Sequence, residues 1–282
     1  MKAGGENMTV KLIALDLDGT TLNSKNQLTE YTQETLESAV KQGIRVVIAT
    51  GRPLVALPEV VTSVSGIEYA ITSNGAAIVD LNTKDILHKN NIEEKAMEHI
   101  YKMLKQHDFM TEIFIHGKAY VEKNIFDNLD NMGFTETHKA YVRRTRLPHE
   151  NVLEFMLENS GEVENINVVF SNQSDKAYMY ERLKELEHVT VTSSFSHNLE
   201  INGSTTTKAS ALLQMCKMFD IKPEEILACG DSPNDEEMLK LAGFSVAMGN
   251  AEESVKQVAK YVTSTNDEDG VAHAIRKYAF GE

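Results

Sequence analysis

The sequence predicts an α/β fold in which a doubly wound parallel sheet is interrupted by a smaller α+β unit. Short apolar segments alternate with helical patterns at both ends of the chain, which is typical of parallel sheets whose strands are buried on both faces. Between the two ends the pattern changes to hairpins mixed with helices. We therefore expect a Rossmann-like core formed by residues 1–83 and 192–282, with an inserted α+β cap domain at residues 84–191.

The first part of the core is predicted to contain three strands separated by helices. The strands are VKLIAL at 10–15, IRVVIAT at 44–50 and YAITSNG at 69–75. A helix should begin after Thr29, a favourable N-cap residue, and end before Gly43, which suits the position after a helix. Pro53 predicts the first turn of a second helical segment, where the missing N–H of proline is tolerated.

The inserted segment is predicted to mix hairpins and helices before the core pattern returns. One hairpin should turn at residues 82–84 and a second at His116 and Gly117. The cap is further predicted to contain helices near 93–107, 149–159 and 174–187, the last capped by Ser174, and strands at 164–171 and 189–201. The second part of the core is predicted to contain strands at 226–230, 244–249 and 260–264 and helices at 207–219, 233–242 and 251–259.

The composition excludes several classes of protein. The chain has 282 residues, with 28 Lys and Arg against 42 Asp and Glu, and its formal net charge is −14. An acidic chain lacks the basic surface of a nucleic-acid-binding protein, so no nucleic-acid partner is expected. No apolar segment approaches the roughly 20 residues that span a bilayer, so no membrane partner is expected. At about 150 residues per domain, the length agrees with two domains.

The cysteine content predicts a reducing, cytoplasmic location. Cys216 and Cys229 are the only cysteines and form no CxxC motif, so a disulfide framework is excluded. Residues 1–8 are polar and lack the apolar segment of a secretory signal. Cys229 lies in an apolar segment and is expected to be a buried structural thiol. The composition is compatible with a monomer or a homodimer.

Asp16 and Asp18 follow the first predicted strand in the segment Asp-Leu-Asp-Gly-Thr at 16–20. The carboxyl ends of parallel strands are where open α/β sheets place ligands. In extended backbone, residues i and i+2 point to the same side, so the two carboxylates would repel each other unless a cation or protons intervene. An acidic surface turn is the alternative, but this motif directly after an apolar strand is unusual for one.

A second acidic cluster lies in the segment Gly-Asp-Ser-Pro-Asn-Asp at 230–235, again between a predicted strand and a helix. If Asp231 and Asp235 converge with Asp16 and Asp18, four carboxylates meet at one edge of the sheet. A metal ion is then needed to keep them ionised together, and oxygen ligands without a His or Cys cluster select Mg²⁺ before Ca²⁺. For this segment alone, a capped helix start is the alternative.

Thr50, Gly51 and Lys208 are candidates for holding an anion. The hydroxyl of Thr50 and the backbone N–H that follows it stand at the end of the second strand, where they can hold a phosphate oxygen. Lys208 is expected in the first turn of a helix, where the helix dipole disfavours a cation unless an anion or carboxylates face it. Taken singly, each feature is equally compatible with an ordinary turn or a solvated lysine.

In their order along the chain, these segments resemble the motifs of the haloacid dehalogenase superfamily, and in particular its Cof-type phosphatases with a large α/β cap of the C2 type. The matching segments are DLDGT (16–20), ATGRP (49–53), SNGA (73–76), Lys208, GDSPND (230–235) and DGVA (269–272). The resemblance extends over nearly all of residues 8–282 and is specific as an ordered set.

The resemblance implies a Mg²⁺-dependent phosphatase. Asp16 would be the nucleophile that forms an aspartyl-phosphate, and Asp18 would act as general acid and then as general base. Mg²⁺ would be bound by Asp16, the main-chain carbonyl of Asp18, and Asp231. The other implied roles are phosphate binding by Thr50, Gly51 and Lys208, support of the metal or of Lys208 by Asn234 and Asp235, and substrate contact by Arg52 and Asn74.

The implied substrate is a small phosphorylated metabolite, with sugar phosphates first and nucleotides or cofactor phosphates second. Asn167 stands where many relatives have a lysine, so the substrate preference is expected to differ. The basic segment Arg143–Arg146 is expected to be a solvated surface strand or loop, with attraction of an anionic substrate as the alternative. Two other functions stay open on the same motifs: a sugar phosphomutase or phosphotransferase, and a phosphate-ester-binding regulator without turnover.

Overall fold

The fold has two sheets with helices packed against them, and the predicted α/β class is confirmed. The computed structural model describes residues 9–131 and 135–282, without the side chains of residues 137 and 138. Residues 1–8, which were predicted to lack a secretory signal, lie outside the described residues. Among the described residues, no helix is both long enough and apolar enough to cross a membrane.

Strands and helices alternate through most of the chain. The strands are β1 (Leu12–Leu15), β2 (Arg45–Ala49), β3 (Tyr69–Thr72), β4 (Ala77–Asp80), β5 (Ile86–Lys89), β6 (Met110–Ile115), β7 (Lys118–Glu122), β8 (Arg146–His149), β9 (Val163–Val169), β10 (Val189–Thr192), β11 (Asn198–Gly203), β12 (Ile226–Gly230), β13 (Phe244–Ala247) and β14 (Tyr261–Val262). The α-helices are α1 (Glu30–Lys41), α2 (Glu59–Thr62), α3 (Glu94–Leu104), α4 (Lys123–Asp127), α5 (Glu136–Thr145), α6 (Val152–Glu158), α7 (Gln173–Leu183), α8 (Lys208–Phe219), α9 (Glu236–Leu241), α10 (Glu253–Val258) and α11 (Gly270–Ile275).

The larger sheet, here called the core sheet, has the order β14-β13-β12-β1-β2-β3-β4-β5. Strand β1 pairs in parallel with β2 on one side and with β12 on the other. The chain therefore reverses its direction of winding at β1, which is the point in such sheets where ligands bind beyond the carboxyl ends of the strands. This order brings the segments after β1, β2 and β12 to one place.

The smaller sheet, here called the cap sheet, has the order β10-β11-β9-β6-β7-β8. Its pairs are antiparallel except for β7 with β8. The two largest clusters of buried hydrophobic side chains follow the two sheets. The core cluster draws on residues 10–81 and 211–275, and the cap cluster draws on residues 92–201.

Two strands pair differently from what the predicted boundaries at 83/84 and 191/192 imply. Strand β5 lies within the predicted cap range but pairs with β4 in the core sheet. Strand β11 lies within the predicted core range but pairs with β9 in the cap sheet. Apolar patterning shows that a strand is buried, but not which sheet it joins. We therefore propose that the chain leaves the core after β5 and returns to it after β11.

Local capping explains where several helices begin and end. The predicted N-cap of α1 is confirmed, because the Thr29 hydroxyl accepts a hydrogen bond from the Thr32 N–H. Gly43 follows that helix with a φ of +82°, a conformation that glycine adopts without strain. The prediction for α7 was wrong by two residues: Asn172, not Ser174, is the N-cap, and its side chain accepts from the Asp175 N–H.

The two cysteines are free thiols, as predicted, and both are buried, which had been predicted for Cys229 alone. Cys229 lies in β12, the strand next to β1, and its carbonyl accepts a hydrogen bond from the Asp16 N–H at 3.1 Å. Burial raises the pKa of the Cys229 thiol far above its usual range. This thiol therefore stays protonated and acts as a small apolar side chain in the core sheet, next to the end of β1.

Thr29→Ala should lower the free energy of unfolding by about 1–2 kcal/mol, the upper range for loss of an N-cap. The hydroxyl caps α1 and also contacts Asp269, a residue near the other end of the chain that Thr32 contacts as well. Urea unfolding measures the loss. Thr29→Ser keeps the hydroxyl and should restore most of the stability, whereas an equal loss in both variants would contradict the capping role.

Candidate active site

The predicted motif residues meet at the carboxyl end of β1. Asp16 directly follows β1, Thr50 follows β2, and Asp231 follows β12. Lys208 is the first residue of α8, and Thr207 and Ser210 cap that helix reciprocally. Segments far apart in the sequence therefore converge because their strands are neighbours in the core sheet.

Lys208 lies at the centre of this convergence and is only 1% exposed. Its ammonium donates to Asp16 Oδ1 at 2.6 Å and to Asp235 Oδ1 at 2.7 Å. Burial alone would lower the pKa of Lys208, but the charges of Asp16 and Asp235 outweigh burial and raise it. Facing carboxylates therefore offset the unfavourable position of this cation in the first turn of a helix.

A close turn holds Lys208 in place. A Cβ atom on Gly75 would lie 2.2 Å from the carbonyl oxygen of Thr207, and the φ of Gly75 is +103°. Only glycine allows this approach of the turn after β3 to the start of α8. The SNGA segment thus helps to set the position of Lys208.

Three carboxylates form a candidate metal site beside this lysine. Oxygens of Asp16, Asp231 and Asp235 all lie within 4.8 Å of one another. One ammonium against three carboxylates leaves two negative charges in excess, and a divalent cation would balance them. Burial, followed by the charge of Asp235, raises the pKa of Asp231 to about 6. Burial raises the pKa of Asp16 as well, against the lowering effect of Lys208 and with added repulsion from Asp235 and Asp231.

The donor set of this cluster fits a hard cation such as Mg²⁺, because it offers carboxylate oxygens in a buried pocket. Asp235 has little free capacity within it: its Oδ2 accepts from the N–H groups of Asp231 at 2.9 Å and Ser232 at 3.1 Å, while its Oδ1 holds Lys208. Asp231 accepts from the Thr20 hydroxyl at 2.8 Å. Asp231 also accepts from the Ser232 hydroxyl at 3.2 Å. Asp235 accepts more of these hydrogen bonds than Asp231 and is thus placed to orient its neighbours.

Asp18 is not a member of the three-carboxylate cluster and is paired with Arg52. The Arg52 guanidinium donates to both carboxylate oxygens, with Nε to Oδ2 at 2.7 Å and an Nη nitrogen to Oδ1 at 2.5 Å. Such two-point pairs fix the relative orientation of the two side chains. Arg52, a predicted substrate contact, therefore already has a protein partner in this conformation.

Asn74 and Asn234 hydrogen-bond to each other close to Gly51. The amide of Asn234 donates to Asn74 Oδ1 at 3.0 Å and to Ser194 Oγ at 2.9 Å. The amide of Asn74 donates to Glu200 at 2.7 Å. The Asn234 amide thus donates to Asn74 and to the cap, whereas the Lys208 ammonium donates to Asp16 and Asp235.

A cavity of about 1030 Å³ lies between the strand ends of the core sheet and the cap sheet. Asp16, Asp18, Thr50, Gly51, Arg52 and Asn234 are the predicted site residues that line it. Asn74, Lys208, Asp231 and Asp235 are predicted site residues that are not among its described lining residues. Asp16 is therefore the member of the charged cluster that reaches this cavity.

The cap contributes residues to this cavity that the sequence did not identify. Glu200 of β11 accepts hydrogen bonds from Asn74 of the core and from Ser194 at 2.9 Å. Burial raises the pKa of Glu200. Glu200 lies in an ordinary strand pattern, so only the pairing of β11 with the cap sheet reveals its position over the core.

The basic segment Arg143–Arg146 is not a solvated strand or loop. Arg143 lies in the last turn of α5, where it pairs with Asp130 at 2.8 Å. Arg146 begins β8 and is buried, with Nε 2.7 Å and an Nη nitrogen 2.8 Å from the Glu112 carboxylate. Asn167 donates to the same carboxylate at 2.9 Å. The expectation failed because a basic run does not show that one of its members has a buried acidic partner.

Comparison with known proteins gives matches over almost the whole chain. A family model described as haloacid dehalogenase-like hydrolase matches residues 13–275. Phosphatase YwpJ of Bacillus subtilis is 32% identical over 291 residues, covering 95% of this chain and 99% of that protein. The 5-amino-6-(5-phospho-D-ribitylamino)uracil phosphatase YcsE of the same organism is 31% identical over 280 residues, covering 99% of each chain.

Solved structures match both parts of the fold. A haloacid dehalogenase-like hydrolase from B. subtilis has a TM-score of 0.81 at 32% identity, covering 95% of this chain and 99% of that one. A phosphatase of the same superfamily from Bacteroides thetaiotaomicron has a TM-score of 0.78 at 26% identity, covering 97% of this chain and 96% of that one.

Glu200→Gln should make stability less dependent on pH. Because burial raises the pKa of Glu200, its stabilising contribution is present below the ordinary pKa of a glutamate and is lost as the pH rises through the raised value. Relative to wild type, the variant should therefore gain free energy of unfolding between about pH 5 and about pH 8. Urea unfolding at both pH values measures this gain. Glu185→Gln controls for the loss of one exposed negative charge, and an identical change in both variants would contradict the prediction.

Proposed function

The chain belongs to the haloacid dehalogenase-like hydrolases and is a phosphatase of the Cof type, and we propose that it hydrolyses monoesters of small phosphorylated metabolites with the help of Mg²⁺. The observation that carries the proposal is the position of Asp16. This carboxylate reaches the large cavity on one side and the buried cluster of Lys208, Asp231 and Asp235 on the other.

We assign the nucleophilic attack to Asp16. Lys208 and the backbone hydrogen bond to Cys229 fix the residue at the end of β1. Attack of its free carboxylate oxygen on the phosphorus atom would form the P–O bond of an acyl phosphate while the bond to the ester oxygen breaks. The electron pair of the broken bond leaves with the ester oxygen, which then needs a proton.

We assign the supply of that proton to Asp18, two residues away along the same motif. Its side chain lines the cavity and is held by Arg52. After the leaving group departs, the same carboxylate would remove a proton from the water that hydrolyses the acyl phosphate. For the first step Asp18 would have to carry its proton on one oxygen, with the other oxygen still accepting from Arg52, because a carboxylate that accepts on both oxygens has no proton to give.

The negative charge of the phosphoryl group would be neutralised by groups at the carboxyl ends of the core strands. We propose that Thr50 and the Gly51 N–H receive phosphoryl oxygens, and that the buried Lys208 acts through its charge beside Asp16. Mg²⁺, held by Asp16, Asp231 and the Asp18 carbonyl, would supply further charge neutralisation and would keep the Asp16 and Asp231 carboxylates ionised.

Sugar phosphates are our first substrate class. The cap side of the cavity is lined by polar side chains of the kind that bind hydroxyl groups, namely Glu112, Asn167, Asn198 and Glu200. One relative, at 31% identity, is named for a substrate that joins a phosphorylated ribityl chain to a uracil ring. A polyhydroxylated leaving group fits both the lining and the size of the cavity.

Asp16→Asn should reduce phosphate release by at least about 10⁴-fold, as expected for the loss of a nucleophile. The test is release of phosphate from p-nitrophenyl phosphate and from a panel of sugar phosphates in the presence of Mg²⁺. Asp127→Asn, an exposed change in α4 of the cap, should keep full activity. Retained activity in Asp16→Asn would overturn the assignment, and an isomeric sugar phosphate in place of free phosphate would indicate a mutase.

Mg²⁺ should raise the melting temperature of the wild-type protein, because a ligand that binds only the folded state stabilises it. In Asp231→Asn this increase should be largely lost, since the cluster then lacks one charged oxygen ligand. Calorimetry with and without Mg²⁺ measures the effect independently of activity. Asp130→Asn, which removes an exposed carboxylate, is the matched control. An undiminished increase in Asp231→Asn would contradict the proposed metal site.

A further inference from the structure

We infer that Tyr141 of the cap is a positioning residue for Asp18 and acts through Arg52. This inference rests on the proposed function, in which Asp18 protonates the leaving group. It concerns a different question, namely how the position of the cap reaches the reacting atoms. The relevant contacts run from the cap sheet through one tyrosine and one arginine to the acid.

Arg52 makes contacts on two sides. On the core side its guanidinium binds both oxygens of Asp18 and donates to the carbonyl of Ala56 at 3.1 Å. On the cap side the centre of the guanidinium lies 5.5 Å from the centroid of the Tyr141 ring. This distance is within the range at which an arginine is attracted to an aromatic ring. Both Arg52 and Tyr141 line the cavity, so this contact joins the core to the cap across it.

Tyr141 has a second arginine contact, which lies within the cap. The Arg146 guanidinium lies 4.7 Å from the centroid of the same ring. Arg146 is in turn held by the two-point pair with Glu112, and the side chains of both residues are 5% exposed or less. A buried pair of this kind is costly to separate, so it gives the ring a rigid support. The ring therefore moves with the cap sheet.

The consequence is a mechanical link between cap and acid. The guanidinium is planar and rigid, so a contact on one side sets the direction of its donors on the other. With the cap over the core, the Tyr141 ring limits the positions that Arg52 can take, and Arg52 orients the Asp18 carboxylate. When the cap moves away, Arg52 loses this support and Asp18 loses its fixed orientation. Protonation of the leaving group would then be efficient only under a closed cap.

A series of substrates with different leaving groups tests the link. An ester with a poor leaving group, such as an alkyl phosphate, depends on the acid, whereas p-nitrophenyl phosphate needs little protonation. In Tyr141→Leu, kcat for the alkyl phosphate should fall on the order of 10-fold, and kcat for p-nitrophenyl phosphate should fall by less than about 2-fold. Tyr141→Phe keeps the ring and should restore most of the loss.

The control is a second tyrosine–arginine pair in the cap. In α7, the Arg182 guanidinium lies 5.7 Å from the Tyr178 ring, and neither residue is among those described as lining the cavity. Tyr178→Leu should leave kcat unchanged for both substrates. In an Arg52→Ala background, Tyr141→Leu should have little further effect, because the two residues act in series.

The outcomes separate this inference from the proposed function. An equal loss for both substrates in Tyr141→Leu would overturn the link, as would additive losses in the double variant. A larger loss for the aryl ester would also overturn it, because it would indicate simple contact between the ring and the leaving group. A wild-type protein that releases phosphate from no ester in the presence of Mg²⁺ would overturn the proposed function as well.

Discussion

The buried ammonium of Lys208, held between Asp16 and Asp235, is the interaction on which the rest of the site depends. A charge that is almost inaccessible to water is tolerated only when carboxylates face it at hydrogen-bond distance. That requirement fixes the spacing of three separate chain segments: the end of β1, the start of α8 and the turn after β12. The split core satisfies it because β1 lies between β2 and β12 in the sheet.

The same cluster accounts for an acidic protein that binds anionic esters. The chain carries a net charge of −14, which opposes anion binding at long range. At the site, three carboxylates and one ammonium have two negative charges in excess, which a divalent cation would balance. With the proposed cation bound, the local field would be set by that cation and by Lys208, and the acidity of the rest of the surface would matter less.

The cap lines one side of the cavity and also contacts the core. Glu200 contacts Asn74, and the Tyr141 ring contacts Arg52. Both contacts come from residues that are themselves fixed within the cap, Glu200 by Ser194 and Tyr141 by the Arg146–Glu112 pair. The cap therefore contacts groups beside the proposed phosphoryl site in addition to lining the cavity.

The sequence by itself determined the α/β class, the order of the motifs, the free buried thiols, and the local caps such as Thr29, because these depend on short-range patterns of burial and backbone geometry. It also identified Asp16, Asp18, Thr50, Lys208, Asp231 and Asp235 as candidates. The tertiary structure alone decided which sheet β5 and β11 join, that Asp18 pairs with Arg52, and that Glu200, Tyr141 and Arg146 line the cavity. Periodicity reports that a residue is buried, whereas its partner comes from a distant segment and is set only when the two sheets pack together.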